Sequence, residues 1–473
     1  MNIQPVLLFT DLLVFVLILS ALALALRAGN HAPSREAWRR VGRRPAAMAA
    51  ASVLLVFGVI GFLDSLHYRE ALPPGPEESA AAKPRYAADV LSALDALLAP
   101  LRQQTEKTYS APFARELFQR ETVERSGGGQ ERIYPRLTHG ARHLQAGDSM
   151  LADVAWRLAW TPFAALYVSG LLLLALSAAV VAHNQRCRLS AAARRILSGR
   201  TTLAWRAVLI TTFLVVLFVA AGIALAPHYH LLGTDKVGQD VLYLSLKSIR
   251  TGLVIGTLTT LIMLPFAIAL GIAAGYLGGW VDDAVQYLYT VLNAIPSVLL
   301  IAASVLMMQV AIDTHPQWFD TAAQRADARL LALCAILGIT SWTGLCRLLR
   351  GETLKLRELD YVQAARAFGA STAAILRRHI LPNVMHIVLI SVVLDFSGLV
   401  LAEAVLSYVG IGVDPGTVSF GGMINAARAE LAREPIIWWS LISAFVFMFI
   451  LVLSANLLAD AVRDAFDPGG GGR

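Results

Sequence analysis

An all-α polytopic membrane protein is the fold class this sequence predicts, and three observations predict it. Hydrophobic residues fill 56% of 473 positions and charged residues 15%, with a mean hydropathy of +0.60, outside the range of ordinary water-soluble domains. Nine apolar stretches, near 5–26, 46–63, 160–182, 205–226, 249–270, 284–310, 330–349, 386–409 and 436–459, are long enough to cross about 30 Å of hydrocarbon. Basic residues gather in alternate short loops. Residues 27–45 carry six arginines, 183–206 six and 347–378 seven Lys or Arg, against two, one and two in 227–248, 311–328 and 411–435. The positive-inside rule therefore places the N-terminus outside and the C-terminus in the cytoplasm. One loop runs against the pattern: 271–283 should also face inward, yet it holds Asp282 and Asp283 and no basic residue.

Taken in order, the first stretch lacks a basic n-region, and its positive charges, from Arg27 to Arg44, follow it, so it reads as a retained helix rather than a signal peptide. Residues 64–159 form the one long non-membrane segment. Its 12 Lys or Arg and 13 Asp or Glu do not fix a side, and the parity of the spans puts it outside. A Pro- and Ala-rich linker, ALPPGPEESAAAKP, opens it. An amphipathic stripe of Val90, Leu94, Leu97 and Leu101 follows, then a glycine run at Gly127–Gly129, the pattern of at most a small helical subdomain. The expected organisation is two membrane helices in 1–63, an external insertion at 64–159, a third helix with a basic loop in 160–200, and a core at 201–468 with a cytoplasmic loop at 350–385. Motifs begin only after residue 230, so residues 1–200 read as an accessory region.

Several chemistries are excluded. Cys187, Cys334 and Cys346 suggest no disulfide framework. The net charge of +7 sits in membrane-flanking loops, which argues against a nucleic-acid partner. GTDKVGQD, Gly233 to Asp240, imitates a phosphate-binding loop but has Gln239 where the phosphate lysine should stand, Asp240 for the magnesium-binding hydroxyl, and no preceding strand. GIGVDPG from Gly410 misses the dinucleotide spacing, and HExxH, GxSxG and paired CxxC are absent. His139 and His143, four apart, lack a nearby third metal ligand. No catalytic residue, bound cofactor or metal is expected.

YVQAARAFGASTAAILRRHILPN, Tyr361 to Asn383, is polar and basic between two apolar spans. Val362, Ala365 and Phe368 form one face of a short helix, Gly369 ends it in a left-handed turn, and Ser371 caps a second. Ile375, Leu376, His379 and Ile380 stripe that second helix until Pro382 stops it. On spacing alone, a protein-docking elbow and an amphipathic loop lying on lipid headgroups fit equally. Asp395 and Glu403 fall in or at the end of one span, within about 80° of each other on a helix. Intramembrane charges of this kind face a bundle interior or water, so both are gate or pathway candidates, with a structural contact or outer gate preferred for Glu403. His386, Trp438 and Trp439 read as interfacial anchors.

The order of QAA, Gly369 and ILP resembles the coupling loop of permease subunits in bacterial ABC importers, with Gln363 in place of that family's glutamate. GTDKVGQDV is similar to GTDxxGRDV of dipeptide and oligopeptide permeases of the C-subunit type, with Gln239 for the arginine. AAGYLGGWVDD (273–283), LAEAVLSYVGIGVDP (401–415) and NLLADAVRDAFDP (456–468) resemble three further motifs of that family in the same order. The resemblance spans 205–468 and leaves 1–200 outside it. It implies a six-helix type I ABC importer permease core, preceded by a three-helix N-terminal extension with a long external loop. It further implies a conduit for peptides or peptide-like solutes that is not itself an enzyme. The implied partners are a second homologous permease, two cytoplasmic ATPases that carry ATP and magnesium, an extracytoplasmic substrate-binding protein and the lipid bilayer. Coupling residues carried over are Gln363, Ala364, Ala365, Arg366, Gly369, Leu381 and Pro382; motif or gate candidates are Gly233, Thr234, Asp235, Asp240, Asp395 and Glu403. A secondary transporter or channel would show inverted repeats or more intramembrane charge, and a membrane scaffold would leave the ordered motifs unexplained.

Overall fold

The structure, a computed structural model, describes residues 3–28, 32–72, 85–124, 130–145, 147–183, 188–319, 321–414 and 416–466. Gly127–Gly129, Cys187, most of the 71–84 linker, Pro415 and Pro468 lie outside the described residues. Among the described residues there are five short strands, β1 (Ile3–Val6), β2 (His67–Glu70), β3 (Leu91–Ser92), β4 (Glu121–Glu124) and β5 (Gln130–Ile133). The first helices are α1 (Phe9–Ala28), α2 (Ala32–Arg43), α3 (Pro45–Asp64), α4 (Ala93–Leu97), α5 (Ala99–Gln103), α6 (Met150–Leu158), α7 (Thr161–His183) and α8 (Leu189–Leu197). There follow α9 (Trp205–Leu225), α10 (Val241–Leu277), α11 (Gly279–Ala294), α12 (Ser297–Thr314), α13 (Ala322–Ser341) and α14 (Thr343–Arg357). The last are α15 (Asp360–Ala367), α16 (Thr372–Ile375), α17 (Leu381–Tyr408), α18 (Phe420–Leu431) and α19 (Trp439–Phe466).

Hydrocarbon offers the backbone no water, so spanning segments satisfy their own N–H and C=O groups as helices. Among the described residues eight stretches are long and apolar enough to cross: α3, α6–α7, α9, α10, α12, α13–α14, Thr372–Tyr408 and α19. The apolar part of α1, Phe9–Ser20, is shorter than a span. The expected helix at 284–310 is broken. Pro296 drives Ile295 into extended backbone (φ −88°, ψ 130°), which ends α11 and leaves α12 as the apolar span.

Two compact units interleave along the sequence. One comprises Met1–Val6, Trp38–Thr251 and Val418–Leu457; the other comprises Leu7–Ala37, Gly252–Thr417 and Leu458–Arg473. In the first, α9 packs against α3 and α7, and β1, β2 and β3 form an antiparallel sheet in the register Ile3↔Glu70 and His67↔Ser92. A second pair, β4 and β5, forms a hairpin in the register Glu121↔Ile133. The 64–159 segment is thus mixed rather than helical. Its helical stripe fails because α4 ends at Leu98 and Pro100 restarts the chain as α5, which leaves Leu97 65% exposed while Leu94 and Leu101 are buried.

In the second unit α1 packs on α13, where the Thr10 amide and hydroxyl both donate to the buried Asp327 carboxylate. One apolar cluster joins Val254, Ile255 and Leu258 of α10 to Leu330, Leu333 and Leu337 of α13 and Leu399 of α17. Another joins Met263, Ala267 and Ala274 of α10 to Leu345, Cys346 and Leu349 of α14. Gly275 lies inside α10 and does not turn the chain. A Cβ there would sit 2.6 Å from Cβ of Thr353 and 2.7 Å from the Arg350 carbonyl oxygen, so it permits close helix packing. Gly278 (φ +67°) and Gly279 (φ +54°) make the turn. The acidic 271–283 loop, which defied the charge pattern, finds its counterion in α14: Arg350 donates to Asp282 through Nε (2.5 Å) and Nη2 (2.7 Å).

Candidate functional site

After α14 the chain leaves the span and forms an elbow. Helix α15 ends in a Schellman motif: the Gly369 amide donates to Arg366 O (3.0 Å) and the Ala370 amide to Ala365 O (3.1 Å). Gly369 has φ +78°, and a Cβ added there would meet nothing within 4 Å, so glycine is required by the backbone and not by crowding. Ser371 caps α16 by accepting from the Ala374 amide (3.3 Å). A π-helical turn, Leu376–Ile380, then leads directly into α17. Pro382 therefore does not stop the second helix. It lies in the first turn of α17, where a missing N–H costs little, and the widened turn before it relieves the ring.

Three side chains hold the elbow down. Val362, Ile375 and Ile380 are at most 2% exposed and enter the cluster of Ala274, Leu349 and Leu356. Burying such side chains stabilises by about 1.5–3 kcal/mol each. The opposite surface is bare. Gln363, Ala364, Arg366 and Gly369 are exposed, Ala365 and Leu381 are partly covered, and Phe368 is 90% exposed. Phe368 was expected beside Val362. Residues three apart on a helix drift by about 60° each time, so Phe368 ends roughly 120° from Val362 and points off the elbow. The Gln363 side-chain amide donates to Glu358 O (3.2 Å), so its polar end is engaged within its own loop.

Gly233, Thr234, Asp235 and Asp240 come together in one turn of the other unit. Asp235 accepts from the amides of Val237 (3.0 Å) and Gln239 (2.8 Å), and the Val241 amide donates to Gly233 O (3.0 Å). Asp240 caps α10, accepting from Leu242 N (2.8 Å). Trp439 is buried at 2% exposure and donates from Nε1 to Thr234 O (2.9 Å), with Phe118 edge-on to its ring at 4.9 Å. It is therefore a strut of this turn and not the interfacial anchor expected; Trp438, 48% exposed, keeps that reading.

A buried charge cluster with no signature in residue spacing lies behind the turn. His230 donates from Nδ1 to Asp240 (2.8 Å) and from Nε2 to Glu106 (3.4 Å), with all three side chains at most 2% exposed. Burial opposes the imidazolium charge, but the hydrogen bonds to Asp240 and Glu106 raise His230 to about 9. Burial likewise opposes the Glu106 carboxylate. Hydrogen bonds from His230, Thr138 and the amides of Gly140 and Thr138 hold it well below its usual range. Glu106 and His230 are 124 residues apart, and no periodicity links an acid in one loop to a histidine in another.

In α17, Glu403 is 1% exposed and accepts from Ser407 Oγ (2.7 Å), a structural contact. Asp395 lies mid-helix and is partly buried, and among the described residues it has no hydrogen-bond or ion-pair partner. His143 is bonded to Asp153 (2.9 Å), and the described residues contain no cluster suited to a metal.

Residues 267–469 match the family described as binding-protein-dependent transport system inner membrane component. The oligopeptide transport system permease protein OppC of Mycobacterium tuberculosis (strain ATCC 25618 / H37Rv) is 34% identical over 239 residues, covering 50% of this chain and 76% of that protein. The glutathione transport system permease protein GsiD of Pectobacterium atrosepticum is 32% identical over 239 residues, covering 50% and 72%. The dipeptide transport system permease protein DppC of Bacillus subtilis (strain 168) is 28% identical over 239 residues, covering 50% and 68%. With its apolar helices and this likeness, the chain belongs to the family of binding-protein-dependent inner membrane transport components, as a multi-pass permease subunit of an ABC importer.

Proposed function

We propose that the chain carries peptides or peptide-like solutes inward, and that the elbow from Tyr361 to Pro382 is where a cytoplasmic ATPase subunit engages it. The exposed Phe368 on a buried base carries this reading. A headgroup-lying loop needs an amphipathic surface, whereas this elbow fixes its apolar inner face inside the protein and presents one aromatic ring on a rigid turn. The oligopeptide, dipeptide and glutathione systems named for the relatives support the solute class. ATP and magnesium reside on two ATPase partners. A second permease completes the pathway and an extracytoplasmic binding protein delivers the solute. The N-terminus and the 64–159 segment face outward, and the 350–385 loop and the C-terminus face the cytoplasm. ATPase closure draws the two elbows together and biases alternating access of the 201–468 cores by differential binding. Gln363, Ala364, Ala365, Arg366, Leu381 and Pro382 surround the contact. Asp395, unpartnered in mid-span, lines the solute pathway.

The test reconstitutes the chain with its partners in proteoliposomes and follows ATP-dependent uptake of a labelled dipeptide. Phe368→Ala removes an exposed side chain, so chain stability should change by no more than about 0.5 kcal/mol. ATPase capture is expected to fall at least about tenfold, in the range of an aromatic contact anchor. Capture and uptake at wild-type levels would leave the lipid-surface reading of the elbow.

A further inference from the structure

We propose that the 64–159 segment is a permanent clamp on the outer turn that carries Gly233 to Asp240, locked through Glu106, and that segment and turn travel through the transport cycle as one body. The cycle in this statement rests on the transport reading above; the clamp itself does not.

The Glu106 carboxylate is the centre of the lock. It accepts from Thr138 N (2.9 Å), Thr138 Oγ1 (2.6 Å), His139 N (2.8 Å) and Gly140 N (3.0 Å), which fixes a remote stretch of the same segment. Through His230 it is joined to Asp240, and Asp240 caps α10. A continuous path of hydrogen bonds thus runs from the insertion to the first turn of a spanning helix. The backbone closes the same contact: Glu106 N donates to Gly238 O (2.9 Å), and a Cβ on Gly238 would fall 1.8 Å from Glu106 O. Only glycine, here at φ +76°, admits so close an approach. Thr234 and Ser110 exchange further bonds, Thr234 N to Ser110 O (3.0 Å) and Ser110 N to Thr234 Oγ1 (2.6 Å).

A second lock lies one turn into α10. Lys247 reaches Asp64 (3.1 Å) and Asp95 (2.8 Å), Tyr243 donates to Asp95 (2.7 Å), and Arg250 donates from Nε to Ser65 (3.2 Å). A lid that detached in each cycle would strip Lys247 of both Asp64 and Asp95 and would part Glu106 from His230, and breaking a buried ion pair carries a large penalty. Motif placement alone makes residues 1–200 an accessory region. These contacts point to the opposite, because the motif turn of the core is completed by residues of the insertion.

Ser110 Oγ and Thr234 Oγ1 lie 3.1 Å apart, close enough for a Ser110→Cys/Thr234→Cys pair to bridge with small adjustment. The pair is placed in a cysteine-free chain assembled with its ATPases, with a protease site introduced at 127–129 so that bridged halves remain joined on a denaturing gel. Near-complete bridging is expected both without nucleotide and with ATP and vanadate. Bridging confined to one state, or at background in both, would overturn the clamp. Glu106→Ala in the same chain is expected to lower the yield at least fivefold, Glu106→Gln to an intermediate level, and the exposed Arg132→Ala to leave it unchanged. An unchanged yield in Glu106→Ala would remove Glu106 from the lock. Should no ATPase be captured, the nucleotide-free yield still decides the clamp, and the failure falls on the transport reading alone.

Discussion

Glycines at two positions in this chain do different physical work, and substitutions separate them. At Gly275 the backbone is ordinary helix and the obstacle is Thr353 and the Arg350 carbonyl of α14. Gly275→Leu should push α10 from α14 at a cost of about 1–3 kcal/mol, read as a lower yield of folded protein in detergent. At Gly369 there is room for a side chain and the obstacle is φ +78°, so the cost of a larger residue is local and leaves the spans alone. Asp395 is a third kind of position. A partly buried carboxyl with no partner among the described residues gains no stabilising contact from its charge, so Asp395→Asn should accumulate normally in the membrane while dipeptide uptake falls severalfold if the residue meets the solute. Equal uptake in wild type and Asp395→Asn would make it a tolerated polar residue.

Elements were legible where their physics is local. The Gly369 turn and the Ser371 cap follow from residue types at fixed offsets, and eight of the nine apolar stretches hold a helix long enough to span because composition decides them. The apolar part of α1 is too short, and Pro296 breaks the helix at 284–310. Phe368 and Pro382 were misread because each lies at a helix boundary, where a drift of about 60° or a widened turn changes what a residue does. The Glu106–His230–Asp240 cluster was invisible because its members meet only through tertiary folding. That cluster has a pH signature. His230 is raised from 6.5 to about 9, so its stabilising contribution is complete below pH 6.5 and is lost as pH rises through about 9. Glu106 is lowered from 4.5, so its contribution is present above pH 4.5 and is lost as pH falls further. Asp240 faces the imidazole directly, and His139 lies 3.9 Å from Glu106. The thermal midpoint of the purified protein should therefore decline between pH 7 and about 10, and His230→Gln should flatten that part of the profile.

At the scale of the whole molecule, the account requires the insertion and the elbow to be on opposite sides of the membrane. In a cysteine-free chain, Lys107→Cys should react with a membrane-impermeant maleimide applied to spheroplasts, and Ser198→Cys should not; the reverse pattern would invert the topology. The central claim, that the elbow transmits ATPase closure to the permease, is tested most directly by Gly369→Val. A β-branched residue at that φ costs about 1–3 kcal/mol, which lowers the equilibrium constant for the correctly set elbow by roughly 5- to 150-fold. Retention of the ATPase on the immobilised permease and ATP-driven dipeptide uptake are measured in the same membranes. The account predicts wild-type accumulation of the chain with loss of both retention and uptake; full retention together with full uptake would contradict it.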